Sequence, residues 1–411
     1  MTTTPPPDRV STAAAIAVDA GDLSLGGGLL ALVRPALTLL DPGGVLAILS
    51  ISKSVTADLE SWCRAEGHQY LGAEALGDGA LIDGTSRHLV SRGRFTVHRP
   101  GIANDFRSLP TRADTSSGFA PQESVVEPGG PAYPFDLVER DRVIPPEVTE
   151  LYEQAVAAQW TAADIPWSTI APQEPAVELA IRQVMTFLAE NELSALYVPS
   201  RFVARIHPAY VAVAMFLATQ MQDESRHIDV FLRRARATAS PPAIASATTS
   251  RSLHSLLQVE DFTESAFLLS VLGEGTFLDL LAFVERFAPD EATEELAKRA
   301  RSDEARHVHF GLAHVRHALA HDDTLYARLE TAVRRRAATL AGIGGVPAPV
   351  QDALTIYAAA GSDPRRVARG HDAYRELLAT MHEGRIRRLR SAGFTAEQAN
   401  TISDLHTPNF M

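Results

Sequence analysis

The sequence predicts a two-part chain, a small α+β sandwich followed by an all-α helical bundle. Three observations predict it. Gly-punctuated short apolar runs fill residues 14–99, prolines crowd residues 100–146, and from about residue 147 the apolar period settles at 3.6. The length of 411 residues exceeds that of one ordinary domain.

In the first zone, Ala15–Val18 and Val45–Ser50 read as strands, and Leu29–Leu40 and Val55–Glu66 as helices, the second opened by Ser54 as an N-cap. Further strands fall near Gln69–Gly72 and His88–Ser91. Strand–helix–strand–helix–strand–strand is the order of a small α+β sandwich over 14–99. Residues 100–146 carry Pro100, Pro110, Pro121, Pro128, Pro131, Pro134 and Pro145-Pro146, which suit a linker or wrapping arm. The bundle is expected over 147–393, with helices near 147–160, 174–203, 208–236, 261–287, 290–320, 323–341 and 365–392. A C-terminal tail follows over 394–411.

Composition bounds the function. Hydrophobic residues are 45% and charged residues 21%, as in a globule with a large core. A formal charge of −12 argues against a general polyphosphate-binding surface and leaves a local basic patch open. The single cysteine, Cys63, excludes an intrachain disulfide framework and any Cys-rich metal site. The start lacks a basic segment followed by an apolar run, so a cytoplasmic location is expected. The most apolar long stretch, Phe262–Val284, holds Glu264, Glu274 and Asp279, which suits a buried helix and not a membrane span.

The chemistry lies in a repeat. Asp223-Glu224-Ser225-Arg226-His227 and Asp303-Glu304-Ala305-Arg306-His307 share one pattern. In each, Glu and His are three apart, on one helical face and within reach of one ion. About thirty residues before each copy stands a Glu in an apolar helix, Glu192 and Glu274. Glu192 is spaced four from both Leu188 and Leu196 and so is preferred over Glu190. Carboxylates on such faces cost several kcal/mol unless paired or metal-bound. Four carboxylates and two imidazoles without thiolate suit iron or manganese. Two iron ions are therefore expected, with a Mn/Fe pair also open.

The arrangement closely resembles the ferritin-like di-iron carboxylate superfamily, and within it the p-aminobenzoate N-oxygenase group, over roughly residues 147–340. The resemblance implies a ferritin-like bundle in which Glu192, Glu224, His227, Glu274, Glu304 and His307 are metal ligands. It makes Asp223 and Asp303 acceptors for the ligand imidazoles, with Arg226 and Arg306 their partners. The group's further His, one turn before the last Glu, is Ala300 here. The implied function is O2-dependent oxidation of a small organic substrate, as a monooxygenase or oxidase. Electrons would come from a separate donor, since Gly26-Gly-Gly28 lacks the G-x-G-x-x-G spacing. A homodimer is compatible with this, and no nucleic-acid or membrane partner is expected. A ferroxidase or iron-storage protein, and a metal-stabilised binding protein without turnover, stay open as rivals.

Other residues admit two roles. Gly273 and Gly275 suit either substrate room or tight packing. Phe187, Met221, Phe267, Phe277 and Phe310 suit core more than a pocket. Tyr197 suits packing more than a radical site, and Trp160 and Trp167 an anchor more than an electron path. His309, His314, His317 and His321 suit a solvated face.

Residues 14–99 resemble the small sulfur-carrier (TusA-like) fold through Asp41-Pro-Gly-Gly44, Ser54-Val-Thr-Ala-Asp58 and Trp62-Cys-Arg-Ala-Glu-Gly-His68. The family's Cys-Pro pair should fall near Leu25-Gly-Gly-Gly28, which has neither residue. That implies a degenerate domain with a docking or lid role and a buried structural thiol at Cys63.

Overall fold

A computed structural model of the chain describes residues 13–76, 84–93, 109–122, 124, 126, 129–341 and 346–406. The end of the first zone, 94–99, the first part of the Pro-rich stretch, 100–108, and the extreme C-terminus, 407–411, lie outside the described residues. The chain divides into two compact units, 1–100 with 123–131, and 101–122 with 132–411.

In the first unit the elements run β1 (Ile16–Gly21), α1 (Leu29–Thr38), β2 (Val45–Ser50), α2 (Val55–Ala65), β3 (Gln69–Ala75) and β4 (Ser86–Ser91). The sheet order is β1-β2-β4-β3, with β1 parallel to β2 and β4 antiparallel to both of its neighbours. A parallel pair needs a crossover, and α1 supplies it. The turn into α1 uses Gly28 at φ 108°, a left-handed conformation that favours glycine. Leu29, Val33 and Leu37 of α1, spaced four apart, join Val55, Leu59 and Cys63 of α2 over Leu46, Ile48 and Val90 of the sheet. Cys63 is buried in that core, and burial pushes its thiol up to about 12, which leaves it protonated and inert at neutral pH.

The second unit is helical: α3 (Arg140–Val143), α4 (Val148–Ala157), α5 (Pro175–Val203), α6 (Val211–Ala235), α7 (Ala247–Leu257), α8 (Phe262–Ala266), a π-helical segment (Phe267–Glu274), α9 (Gly275–Arg286), α10 (Glu291–His321), α11 (Leu325–Leu340), α12 (Ala348–Ala359), α13 (Pro364–Ser391) and α14 (Ala396–Leu405). Local signals set several starts. Pro175 and Pro364 occupy first-turn positions, where no N–H is needed. The Asp290 carboxylate accepts from the Thr293 N–H at 2.8 Å to cap α10. The helix Phe262–Arg286 is long and apolar enough to cross a membrane, yet most of it is buried inside the bundle.

Four stretches depart from expectation. Helices α7 and α12 form where no helix was expected. The segment expected as a tail folds into α14, opened by a Thr395/Gln398 capping box and anchored through buried Ala399 and Ile402. Described residues of the Pro-rich stretch belong to a core: Ala113, Val138, Val143 and Ile144 pack with Phe202, Tyr210 and Phe216. Tyr210 donates its hydroxyl to the carbonyls of Val138 at 2.8 Å and Pro110 at 2.9 Å, fixing this arm to the start of α6.

Candidate metal centre

Helices α5, α6 and α10 and the π-helical segment converge on one buried cluster. Glu192 comes from α5, Glu224 and His227 from α6, Glu274 from the end of the π segment, and Glu304 and His307 from α10. Each is at most 2% exposed. The three-residue Glu–His spacing turns both side chains of each pair inward. Donor atoms of Glu192, Glu224, His227 and Glu304 lie within 4.8 Å of one another, as do those of Glu224, Glu274, Glu304 and His307. Glu224 and Glu304 belong to both groups, so the six expected residues meet as two overlapping four-donor sets. Glu190, the alternative to Glu192, is only half-buried and joins neither set.

The imidazoles point Nδ1 at the carboxylates. His227 Nδ1 lies 3.1 Å from Glu224 and 3.4 Å from Glu304, and His307 Nδ1 lies 3.1 Å from Glu224. Their Nε2 atoms face the aspartates in a crossed arrangement. The His227 Nε2–H donates to Asp303 of α10 at 3.2 Å, and the His307 Nε2–H to Asp223 of α6 at 3.1 Å. Each Asp thus orients the ring of the opposite helix. Arg226 donates to Asp223 and, at 3.2 Å, to Asp303; Arg306 donates to Asp303 and, at 3.2 Å, to Asp223. Each aspartate thus accepts from one imidazole and both guanidiniums.

Inside the ring of six the accounts do not close. Oxygens of Glu192, Glu224, Glu274 and Glu304 and the Nδ1 of His307 are buried without a hydrogen-bond partner. Burial first, then Glu224 and Glu304, pushes the Glu192 carboxyl well above the usual range; burial and Glu304 do the same to Glu274. Burial also opposes ionisation of Glu224, but His307 and His227 outweigh it and hold it below the usual range. Burial disfavours a charged His227, yet Asp303, Glu192 and Glu224 outweigh it and raise its pKa. Without a cation the cluster therefore retains protons, and a cation would have to displace them.

Gln220 and Gln159, not singled out in the sequence, complete the shell together with Trp160. Gln220, one turn before Glu224, donates its amide to Glu274 at 2.9 Å in the core. Its register with Glu224 was the available signal, because a polar residue four positions from a buried Glu shares its face. Gln159 accepts from Arg226 at 2.5 Å. Trp160 donates its indole N–H to Asp303 at 2.7 Å and lies 6.2 Å from the His227 ring, nearly parallel to it. Gly311 of α10 permits close approach of the π segment: a Cβ there would meet the Ser270 Cβ at 2.6 Å. Gly275 is packed too, with a Cβ meeting Arg388 at 2.7 Å, so it leaves no room for substrate. Tyr197 is 59% exposed and has no place in the cluster.

The histidines after His307 do not form one solvated face. His314 is buried, 3.0 Å from the Thr263 hydroxyl, because seven residues after His307 is two turns along the same inward face. His317 is half-buried, and among these residues His309 and His321 are exposed.

No family model matches the chain. The N-terminal region is similar to a putative sulfur carrier protein, YrkF, of Bacillus subtilis (strain 168), 43% identical over 54 residues. That match takes in 13% of this chain and 26% of the curated protein, so the chain spans about a quarter of the length of that relative. Among solved structures, the chain is similar to variants of an R2-like ligand-binding oxidase. One with an aerobically reconstituted Mn/Fe cofactor and one with an Fe/Fe cofactor are each 17% identical with a TM-score of 0.46, covering 64% of this chain and 94% of theirs. At these scores the likeness carries no chemistry.

Proposed function

We propose that the buried cluster holds two transition-metal ions, and that the protein is a non-haem di-iron oxygenase or oxidase using O2 to oxidise a small organic substrate. Glu192 and His227 would hold one ion and Glu274 and His307 the other, with Glu224 and Glu304 shared. The single observation that carries this reading is the set of orphaned carboxylate oxygens brought together in a buried core. Four ionised carboxylates there are prohibitive in energy without a cation. Oxygen and imidazole donors without thiolate favour iron, or a manganese–iron pair.

Bound at this position, the ions supply redox equivalents for reducing O2. The chain's own residues do the rest. Asp223 and Asp303 hold the Nε2 protons of His307 and His227, which fixes the tautomer that presents Nδ1 inward. Gln220 holds one oxygen of Glu274 and leaves the other facing the cluster. The helices exclude bulk water, which sharpens every charge interaction inside. A separate donor would bring electrons.

The test is metal binding followed by oxygen. Chelator-stripped protein titrated anaerobically with ferrous iron should take up two ions per chain in the core, and the loaded protein should consume O2 when mixed with it. Wild type that holds no more ferrous iron than Glu224→Ala would overturn the assignment; loaded protein inert to O2 would overturn the oxidase reading alone.

A further inference from the structure

Outside the buried cluster, one group of donors is assembled from segments far apart in sequence. Asp141 on α3 faces His317 and His321 on the last turns of α10, and one ligand atom from each lies within 4.8 Å of the others. His317 Nε2 stands 3.4 Å from Asp141 Oδ1. Two bonds of about 2.0–2.1 Å at a near-tetrahedral angle span about that distance. The two imidazole rings, one turn apart, have centroids 4.3 Å apart. His321 donates its Nδ1–H to the His317 carbonyl at 2.8 Å, which fixes the tautomer and leaves the Nε2 lone pair to bind a cation.

We infer that Asp141, His317 and His321 form a second site for a divalent transition cation of the zinc type, separate from the buried cluster. The site is open on one side to a groove of about 540 Å³ lined by Thr111, Glu139, Asp322 and Arg328 among others, where water completes the coordination. Burial, then the neighbouring His321, holds His317 below the ordinary imidazole pKa. Arg140, whose Nε lies 3.0 Å from the same Asp141 oxygen, opposes a cation directly, and Arg112, Arg142 and Arg328 on the groove wall add positive charge against it. A bound ion staples the Pro-rich arm to α10, the helix that also carries Glu304 and His307. His317 lies about 15 Å along that helix from His307, too far to share an ion with it.

The test uses untagged, full-length, chelator-stripped protein titrated with Zn²⁺ by calorimetry and with Co²⁺ by visible absorption. Wild type should bind one equivalent more than His317→Ala/His321→Ala, and Zn²⁺ should raise the Tm of wild type above that of the double variant. Asp141→Asn, which keeps both imidazoles, should weaken that equivalent at least tenfold. Glu224→Ala should retain it while losing the buried ions. Equal stoichiometry in wild type and the double variant would overturn the site. So would joint loss of this equivalent with the buried ions in Glu224→Ala.

Discussion

Helices α6 and α10 carry the same five-residue pattern, and laying one on the other shows where they part. One turn before the Glu, α6 has Gln220 bonded to Glu274, and α10 has the small, fully buried Ala300. Seven residues after the His, α6 has Arg234 and α10 has His314, both buried. Arg234 is an anchor: it donates to Glu178 at 3.0 Å, Asp290 at 3.1 Å and Thr293 at 2.8 Å, tying α6 to α5 and to the start of α10. His314 instead meets the Thr263 hydroxyl at 3.0 Å and the backbone of Val143. The residues nearest the cluster are twofold alike, and the layer around them is not. The difference teaches that the donor set is a shared requirement of both helices, while the surroundings give each half its own stability and its own hold on its carboxylate.

The comparison can be broken most severely at its shared members. Glu224→Ala should abolish binding of both buried ions, since Glu224 belongs to both four-donor sets; elemental analysis after ferrous loading reads this. An intact second ion would mean that the two halves are independent. Next in size is the anchor. Arg234→Ala leaves Asp290 and Glu178 without their buried partner and should cost about 3–5 kcal/mol in urea unfolding.

The counterpart on α10 should show in the pH dependence of stability. Burial, reinforced by His317, holds His314 down from an ordinary 6.5 to about 4. The unfolded chain therefore binds a proton that the folded chain refuses. Stability supplied by neutral His314 is complete above about pH 6.5 and lost as pH falls toward 4. Relative to His314→Gln, wild type should lose about 3 kcal/mol across that window. Parallel curves for the two proteins would remove the distinction between the two anchors.

The crossed aspartates give a finer contrast. Asp223→Asn and Asp303→Asn should each weaken metal binding about 10–100-fold, with Asp303→Asn the worse because Asp303 also accepts from Trp160 at 2.7 Å, where Asp223 has the longer contact from Gln159 at 3.4 Å. Equal losses would argue that the Trp160 bond contributes nothing to the site. The smallest effect is expected at Gln220→Leu, which removes the donor from Glu274 alone and should weaken one ion by about tenfold or less; ferrous titration resolving two affinities reads it.

Much of this was legible in the sequence because helical geometry is local. A Glu and a His three apart must share a face, and Glu192 between Leu188 and Leu196 must look where they look. The first unit was equally readable, since its strands and helices are short and bounded by glycines. What escaped depended on partners distant along the chain. Nothing within Asp223–His227 says that Asp223 serves His307 and not its own His227. Asp141 meets His317 only because the Pro-rich arm folds back through Val138 and Tyr210, so the last histidines of α10 looked like a bare solvated row. Helices α7, α12 and α14 are short, and the packing that holds them is supplied by neighbours such as Arg336, which donates to the Ser252 carbonyl at 2.9 Å. The π-helical turns around Leu268–Leu272 leave no mark in a plain apolar run.

Those wide turns make the length of Phe267–Glu274 a matter of phase. Each α-helical residue advances the chain by about 100°, so wider turns reset the angle between α8, packed at one end, and Glu274 with α9 at the other. Swapping one apolar residue for another of similar volume there would repack locally. Deleting a single residue would instead rotate everything downstream by roughly a quarter turn, carrying Glu274 out of register with Gln220 and pressing a different side chain against Gly311. In this stretch the tally of residues is held more tightly than their identity.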